Sequence, residues 1–188
     1  MLKTLEQIST ESKFVNPFWE YKVDKYKMPT GRISEYHYVN SRGAAIIIPI
    51  TDNNKFLMIN QFRYLNRRTS LEFPGGGIKD KMSPLENAKK ELLEETGYTA
   101  SSIRLIGEYN PYNGVTNEMC HVFVAEGLKI AKTIETDDST MLGMTTHDES
   151  EEFEILELKI QEINNKIIKA DIWDGMTLAA WAIYSITN

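Results

Sequence analysis

Residues 75–98 read GGGIKDKMSPLENAKKELLEETGY and combine a glycine run with an acidic, amphipathic segment. This stretch predicts a helix over residues 84–96. Ser83 is a favourable N-cap, and Glu86 completes an S-x-x-E capping box, in which each residue satisfies a backbone N–H of the other. Gly97 follows the last turn as the residue that ends the helix.

The predicted helix presents an acidic face. Because an α-helix turns by about 100° per residue, side chains three and four positions apart lie on the same side. This spacing places three carboxylates together, those of Glu91, Glu94 and Glu95. Beside them runs an apolar stripe that we expect to anchor the helix in the core, formed by Leu85, Ala88 and Leu92. Taken alone, such a face is typical of the solvated surface of an acidic helix.

The glycine run directly before the helix changes that interpretation. Gly75, Gly76 and Gly77 carry no side chains, so their backbone can approach a ligand or a metal ion closely. Carboxylates clustered without histidine or thiolate suit Mg²⁺ or Mn²⁺, and these ions commonly bridge carboxylates to substrate phosphates. The stretch therefore favours a Mg²⁺ (or Mn²⁺) site beside a phosphate-bearing substrate.

The composition indicates an acidic globular protein. Its 188 residues fit one domain with a modest extension, and 41% hydrophobic residues suffice for a core. A formal net charge of −6 argues against a duplex-binding surface, so we expect no nucleic acid partner.

The N-terminus has no apolar signal-peptide region, and the longest apolar run, residues 44–50, is too short to span a bilayer. We therefore expect no membrane partner and a cytoplasmic location. Cys120 is the only cysteine, which excludes an intrachain disulfide and a cysteine-based zinc site.

Strands and helices are mixed along the chain, so the predicted fold class is α/β (α+β). Strands are predicted over residues 20–28, 32–39, 44–50, 56–63, 103–109, 119–127 and 153–158. Helices are predicted over residues 159–168 and 176–186, and residues 64–70 are expected to form a loop. We expect an N-terminal antiparallel β extension over residues 1–42 and a catalytic domain over residues 43–188.

From Gly76 onward the loop and the acidic helix resemble the Nudix box, which is a glycine, then a glutamate, then R-E-U-x-E-E-x-G-U at fixed spacing. Motif positions are matched by Gly76, Glu91, Leu92, Glu94, Glu95, Gly97 and Tyr98. Met82 stands where the family has its first glutamate, and Lys90 stands where it has arginine. Lys90 keeps the positive charge but lacks the bidentate fork, and Met82 cannot accept a hydrogen bond from it, so the pair that usually braces the loop is altered at both positions. Glu86, four residues before Lys90, is the candidate replacement partner.

A second stretch resembles the ADP-ribose pyrophosphatase branch of this family. Gln61-Phe62-Arg63, followed by Glu72-Phe73-Pro74-Gly75-Gly76, is similar to the Q-[FY]-R … E-x-P-A-G pattern. The resemblance implies a Nudix-type mixed β-sheet sandwiched between helices. It also implies that Arg63 directs its guanidinium at the diphosphate, that Glu72 belongs to the substrate site, and that Gly75 offers its backbone carbonyl to the metal. Arg67 is a further candidate for binding the substrate. For both Arg67 and Arg68, a phosphate contact and a solvated position are open alternatives.

Further resemblances extend to both ends of the chain. Residues 147–153, HDESEEF, resemble the acidic loop of ADP-ribose pyrophosphatases. This resemblance implies that Glu149 is the catalytic base and that Glu151 is an additional metal ligand. The two residues could exchange these roles, or the loop could be merely solvated surface. Residues 111–118 lie where the family has a substrate loop. In that branch an N-terminal β segment crosses to a partner subunit, where aromatic residues sandwich the adenine, so a homodimer is expected. The matching stacking candidates, for which core or dimer packing is the alternative, are Phe18, Trp19 and Tyr21.

Together these resemblances imply Mg²⁺-dependent hydrolysis of the diphosphate in a nucleotide sugar, with ADP-ribose giving AMP and ribose 5-phosphate. In this scheme Glu91, Glu95 and the Gly75 carbonyl hold the metal, and Glu94 orients or shares it. One alternative is a Nudix hydrolase of GDP-mannose, a dinucleotide or a nucleoside triphosphate. The other is a Nudix module that binds a nucleotide sugar without turnover.

Overall fold

The protein consists of two compact units. The structure, a computed structural model, describes residues 4–131 and 154–187. The first unit comprises Met1–Gly43 and Asn110–Met119, and the second comprises Ala44–Tyr109 and Cys120–Asn188. In the described part of the chain, each helix is too short or too polar to cross a membrane.

The first unit is built around an antiparallel sheet. Its strands, in the order in which they pair, are β1 (Glu6–Val15), β2 (Glu20–Lys27) and β3 (Ile33–Asn40). The edge strand β1 is exposed along its whole length, whereas the central strand β2 buries Val23. Residues 110–119 belong to this unit because they bond to the end of β3, where the Val39 N–H donates to the Val115 carbonyl at 2.8 Å.

Among its described residues, the second unit contains two sheets and three helices. Its strands are β4 (Ala44–Pro49), β5 (Phe56–Arg63), β6 (Arg68–Glu72), β7 (Gly75–Gly77), β8 (Tyr98–Tyr109), β9 (Cys120–Ile130) and β10 (Glu154–Leu158). Its helices are α1 (Pro84–Thr96), α2 (Ile160–Ile168) and α3 (Gly175–Thr187). One sheet has the order β7-β4-β9-β8, in which only β4 and β9 are parallel, and the other is antiparallel with the order β10-β5-β6. The predicted α+β class is confirmed.

Strand β4 is covered on both faces and fixes α1 in place. All six of its residues are buried, and successive side chains point to opposite faces. Ile48 packs in a cluster with Trp181 of α3, whereas Ile47 packs in a second cluster with Leu92 of α1. The predicted anchoring by Leu85 is wrong, because this side chain lies in the first turn of α1 and stays 37% exposed.

Both predicted ends of α1 are confirmed. The Glu86 N–H donates to Ser83 Oγ at 3.2 Å, and the Ser83 N–H donates to Glu86 Oε2 at 2.8 Å, which completes the capping box. At the other end, Gly97 adopts a left-handed φ of 73° and its N–H donates to the Leu93 carbonyl at 2.9 Å. The helix therefore begins and ends where the local sequence requires, before any tertiary contact is considered.

In the part of the chain that the structure describes, three strands were not predicted from the sequence: β1, β6 and β7. Strand β7 is the glycine run, which forms by pairing with β4. Strand β1 is polar and wholly exposed, so it has no apolar alternation to mark it and forms through backbone pairing with β2. Strand β6 begins inside the predicted loop over residues 64–70, because Arg67 takes a left-handed φ of 54° and closes a tight turn, after which Arg68 pairs with Arg63. Strand β8 begins at Tyr98 rather than at residue 103, since its first residues pair with the end of β9.

Replacing Ser83 with alanine removes the N-cap, and we expect the free energy of unfolding at pH 7 to fall by about 1 kcal/mol. The pKa of Glu86 is lowered, first by its hydrogen bond to the Ser83 N–H and then by the Ser83 hydroxyl. A carboxyl with a lowered folded-state pKa stabilises the fold above its ordinary pKa, and this contribution is lost as the pH falls through the lowered value. In acid, the free energy of unfolding of Ser83→Ala, measured by urea unfolding, should therefore approach that of the wild type.

The matched control for this experiment is Ser102→Ala, which changes an exposed serine on β8 and should leave stability unchanged at both pH values. A loss in Ser83→Ala that is the same at pH 7 and in acid would contradict the proposed coupling of Ser83 to the Glu86 carboxylate.

Candidate active site

Glu91 is the most buried of the three carboxylates on α1. It is only 8% exposed, and burial raises the pKa of its carboxyl group. The carboxylate lies against the backbone of Gly76, where a Cβ atom would stand 3.0 Å from Glu91 Oε2. Since this separation is tighter than an ordinary van der Waals contact, the Glu91 carboxylate would have to shift by a few tenths of an ångström if Gly76 carried a Cβ atom.

Glu95 is held by the same glycine strand. Its Oε2 atom accepts a hydrogen bond from the Gly75 N–H at 2.7 Å. Gly75 has no room for a side chain, because a Cβ atom would collide with the Ala45 carbonyl oxygen of β4. The bare backbone of β7 thus brings the carboxylates of Glu91 and Glu95 to one place.

Lys90 supplies the positive charge between the carboxylates. Its Nζ atom bonds to Glu94 Oε2 and lies 3.5 Å from Glu91 Oε1. Burial lowers the pKa of Lys90, but the hydrogen bond to Glu94 and the charges of both glutamates outweigh that effect, so the pKa is raised. The predicted pairing of Lys90 with Glu86 is wrong: the Glu86 carboxylate is occupied by the N–H and hydroxyl of Ser83, so Lys90 reaches into the following turn instead.

Asn87 joins the loop to the helix and is absent from the sequence prediction. It is completely buried. Its Oδ1 atom accepts from the Lys79 N–H at 3.1 Å, and its Nδ2 atom donates to the Gly76 carbonyl at 3.3 Å and to Glu91 Oε1 at 3.4 Å. The sequence could have indicated this contact, because Asn87 lies four residues before Glu91 and both side chains therefore lie on one face of the helix.

Arg63 and Glu72 form an ion pair in which Glu72 is buried and Arg63 is partly exposed. Glu72 is 4% exposed, and its Oε1 atom accepts from Arg63 Nε at 2.8 Å while its Oε2 atom accepts from Arg63 Nη2. The hydrogen bond to Glu72 is the main reason that the pKa of Arg63 is raised, and the charges of Asp174 and Glu95 act in the same direction. Gln61 Nε2 also donates to Glu72, at 3.4 Å, so Gln61, Arg63 and Glu72 lie together.

Comparison with known proteins places this arrangement in a family. The model of the NUDIX domain matches residues 40–171. The chain belongs to the NUDIX family. ADP-ribose pyrophosphatase of Bacillus subtilis (strain 168) is 30% identical to it over 181 residues, which cover 95% of this chain and 92% of that protein.

Two further comparisons support the assignment. GDP-mannose pyrophosphatase of Yersinia enterocolitica is 34% identical over 146 residues, covering 75% of this chain and 72% of that protein. A crystal structure of an ADP compounds hydrolase superposes with a TM-score of 0.76 at 16% identity, covering 98% of this chain and 94% of that one. The protein is therefore a Nudix hydrolase of the ADP-ribose pyrophosphatase-like branch with the Nudix fold, and its reaction class is hydrolysis of a pyrophosphate linkage.

The stacking candidates of this Nudix hydrolase lie in its first unit. Phe18 is 84% exposed and Trp19 is 42% exposed. Both backbone N–H groups donate to Asn16 Oδ1, which fixes the turn that carries them, and the Trp19 ring lies 5.7 Å from that of Phe14. Tyr21 is partly buried, and its hydroxyl lies 2.7 Å from His37 Nδ1.

Three other predicted residues lie apart from α1 or outside the described part of the chain. Arg67 is at the turn between β5 and β6, with its guanidinium 3.9 Å from the centre of the Tyr64 ring. Glu149 and Glu151 fall outside the described residues. A cavity of about 360 Å³ lies among other residues of the second unit, including Arg68 and Trp173, and none of the α1 carboxylates lines it.

The carboxylates of α1 fit a divalent cation in their chemistry. All candidate donors are oxygens, as Mg²⁺ and Mn²⁺ prefer, and the buried Glu91 lies against a glycine backbone that leaves space for its carboxylate. Within residues 4–131 and 154–187, however, no three acidic, histidine or cysteine side chains are gathered closely enough to hold a metal ion by themselves. Lys90 bridges two of the three α1 carboxylates, those of Glu91 and Glu94.

We expect Gly75→Ala to lower the free energy of unfolding by about 1–3 kcal/mol, because the added Cβ must push β7 away from the Ala45 carbonyl of β4. The measurement is urea unfolding followed by circular dichroism. Gly114→Ala is the matched control, since a Cβ there would meet no other atom within 4 Å. Unchanged stability in Gly75→Ala would show that β4 and β7 do not approach as closely as described.

Proposed function

We propose that this Nudix hydrolase cleaves the diphosphate of a nucleoside diphosphate sugar in a Mg²⁺-dependent reaction, with ADP-ribose giving AMP and ribose 5-phosphate. The observation that carries the proposal is the convergence of Glu91 and Glu95 on the bare backbone of Gly75 and Gly76. The choice of substrate rests on the similarity to the Bacillus subtilis ADP-ribose pyrophosphatase. A cytoplasmic location and a homodimer are further parts of the proposal.

The proposed metal ligands are Glu91, Glu95 and the carbonyl oxygen of Gly75, with Glu94 sharing or orienting the ion and Glu151 as an additional ligand. When bound, Mg²⁺ (or Mn²⁺) polarises the diphosphate and stabilises the charge that develops on the leaving phosphate. Lys90 already lies between Glu91 and Glu94, so it compensates their charge before substrate arrives. This compensation keeps two like charges close together on one face of α1 at small cost.

The proposed reaction is substitution at phosphorus by water. The oxygen of water forms a bond to one phosphorus atom, its proton passes to Glu149, and the bond from that phosphorus to the bridging oxygen breaks. Arg63 neutralises the non-bridging oxygens, and its pairing with the buried Glu72 fixes the direction of the guanidinium. Because Nη1 is not one of the two nitrogen atoms in that pair, Arg63 retains donors for the substrate.

Adenine recognition is assigned to the aromatic residues of the first unit. Phe18 and Trp19 expose their rings, as a base-stacking surface requires, and Tyr21 lies on the adjoining strand. Stacking of this kind stabilises a bound base by about 1–3 kcal/mol. Arg67 is the proposed additional phosphate contact, and binding would require it to leave the face of Tyr64.

A second candidate substrate is GDP-mannose. Its support is the similarity to the Yersinia enterocolitica GDP-mannose pyrophosphatase, which has the higher identity over a shorter stretch. The two candidates differ in their products, because GDP-mannose gives GMP whereas ADP-ribose gives AMP. Identification of the released nucleotide therefore separates them.

We expect purified protein with Mg²⁺ to release AMP from ADP-ribose, and Glu95→Gln to lower this rate at least about a hundredfold, on the scale of losing a metal-based stabilisation of several kcal/mol. The glutamine carbonyl can still accept from the Gly75 N–H, so the loop contact is kept while the charge is removed. The measurement is chromatography of nucleotide products from a panel that includes GDP-mannose, a dinucleotide and a nucleoside triphosphate.

The matched control is Glu157→Gln, which changes a glutamate of β10 that pairs with Lys55, and it should retain full activity. Release of a nucleotide from none of these compounds, or full activity in Glu95→Gln, would contradict the proposed function.

A further inference from the structure

Asn87 is an unfavourable residue for its location, which indicates a specific role. It lies inside α1 and is completely buried, although asparagine is among the weaker helix formers. Burial of an amide side chain costs free energy unless its polar atoms are hydrogen-bonded. The neighbouring Ala88 is equally buried and meets the packing requirement without any polar atoms.

The hydrogen bonds of Asn87 fix its orientation uniquely. The Lys79 N–H can only donate, and the Gly76 carbonyl can only accept. If the amide were reversed, it would place a donor against the Lys79 N–H and an acceptor against both the Gly76 carbonyl and Glu91 Oε1. The amide therefore has one arrangement that satisfies all three neighbours.

These contacts tie two loop positions and one carboxylate to a single side chain. Gly76 lies at the centre of β7 and Lys79 lies just after this strand, so Asn87 holds the chain where it leaves the sheet. The Glu91 carboxylate also lies against the Gly76 backbone, where a Cβ atom would stand 3.0 Å from its Oε2 atom. Asn87 thus sets the position of the Gly76 backbone and of the Glu91 carboxylate together.

Neighbouring charged groups do not duplicate this link. Lys90 is directed at Glu94 and Glu91, and Glu86 is occupied by Ser83. Asn87 is uncharged, so it orients Glu91 while leaving the negative charge of that carboxylate in place.

We propose that Asn87 is a positioning residue that holds Glu91 and the Gly76–Lys79 backbone in the arrangement that receives the divalent cation. This inference rests on the proposed function, in which Glu91 is a metal ligand. Asn87 itself contacts neither substrate nor metal. Its effect passes through the orientation of the Glu91 carboxylate.

The test compares two variants of the full chain. Asn87→Ala removes all three hydrogen bonds. Asn87→Asp keeps the shape and the acceptor for the Lys79 N–H, but it places a second oxygen against the Gly76 carbonyl and Glu91 Oε1. We expect the affinity for Mn²⁺, measured by titration calorimetry without substrate, to fall by about tenfold or more in both variants, as when a hydrogen-bond partner of a metal ligand is lost.

Amide hydrogen exchange supplies a second readout. The Lys79 amide should lose protection in Asn87→Ala and keep it in Asn87→Asp, because only the first variant removes the acceptor. A merely structural role would give the same difference in protection but would leave the Mn²⁺ affinity of the folded variants unchanged. With ADP-ribose, kcat should fall in both.

Asn164→Ala is the matched control, since it also removes a helical asparagine, whose Oδ1 accepts from Trp181 Nε1 at 2.9 Å on α3. It should lower the melting temperature without changing Mn²⁺ affinity. Should Asn87→Ala fail to fold, Asn87→Asp and Asn87→Ser decide the question by the same two readouts.

Wild-type Mn²⁺ affinity in folded Asn87 variants would overturn the inference, and so would a wild-type protein that binds no Mn²⁺. A wild-type protein that binds Mn²⁺ but hydrolyses no compound of the substrate panel would contradict the proposed function alone. In that case a lowered Mn²⁺ affinity in both variants would still support the role of Asn87.

Discussion

The contact between helix α1 and the bare backbone of β7 is the constraint on which the rest of the site depends. The Glu91 carboxylate lies against the Gly76 backbone, where a Cβ atom would crowd it, and Glu95 accepts from the Gly75 N–H. Both contacts require β7 to pair closely with β4, which is buried on both faces between α1 and α3. These contacts tie the carboxylates of Glu91 and Glu95 to the paired strands β4 and β7.

Electrostatics explain why this contact points to a cation. Three glutamates stand within two turns of α1, and burial raises the pKa of Glu91 because its charged form is poorly solvated. Lys90 offsets part of this charge, and it bonds to Glu94 more closely than to Glu91. An additional positive charge at Glu91 and Glu95 would therefore stabilise the helix face, in a protein whose formal net charge is −6.

The sequence predicted the features that local chemistry determines. Both ends of α1 follow from Ser83, Glu86 and Gly97. The pairing of β5 with β6, which brings Arg63 to Glu72, was not predicted, since residues 64–70 were expected to form a loop. Features that depend on tertiary contacts were not predictable in this way. The exposed edge strand β1 has no apolar pattern. In α1 the apolar Leu85 stays exposed while the polar Asn87 is buried. Asn87 can be buried because its amide forms hydrogen bonds with the loop before the helix.

We propose that Glu91, Glu95 and the Gly75 carbonyl hold a divalent cation. An anomalous difference map from crystals of the protein soaked in Mn²⁺ tests this proposal. We expect a peak within coordination distance of all three groups, with Asn87 still bonded to Glu91. A crystal saturated with Mn²⁺ that shows no peak beside Glu91 and Glu95, or shows the ion bound only elsewhere, would contradict it.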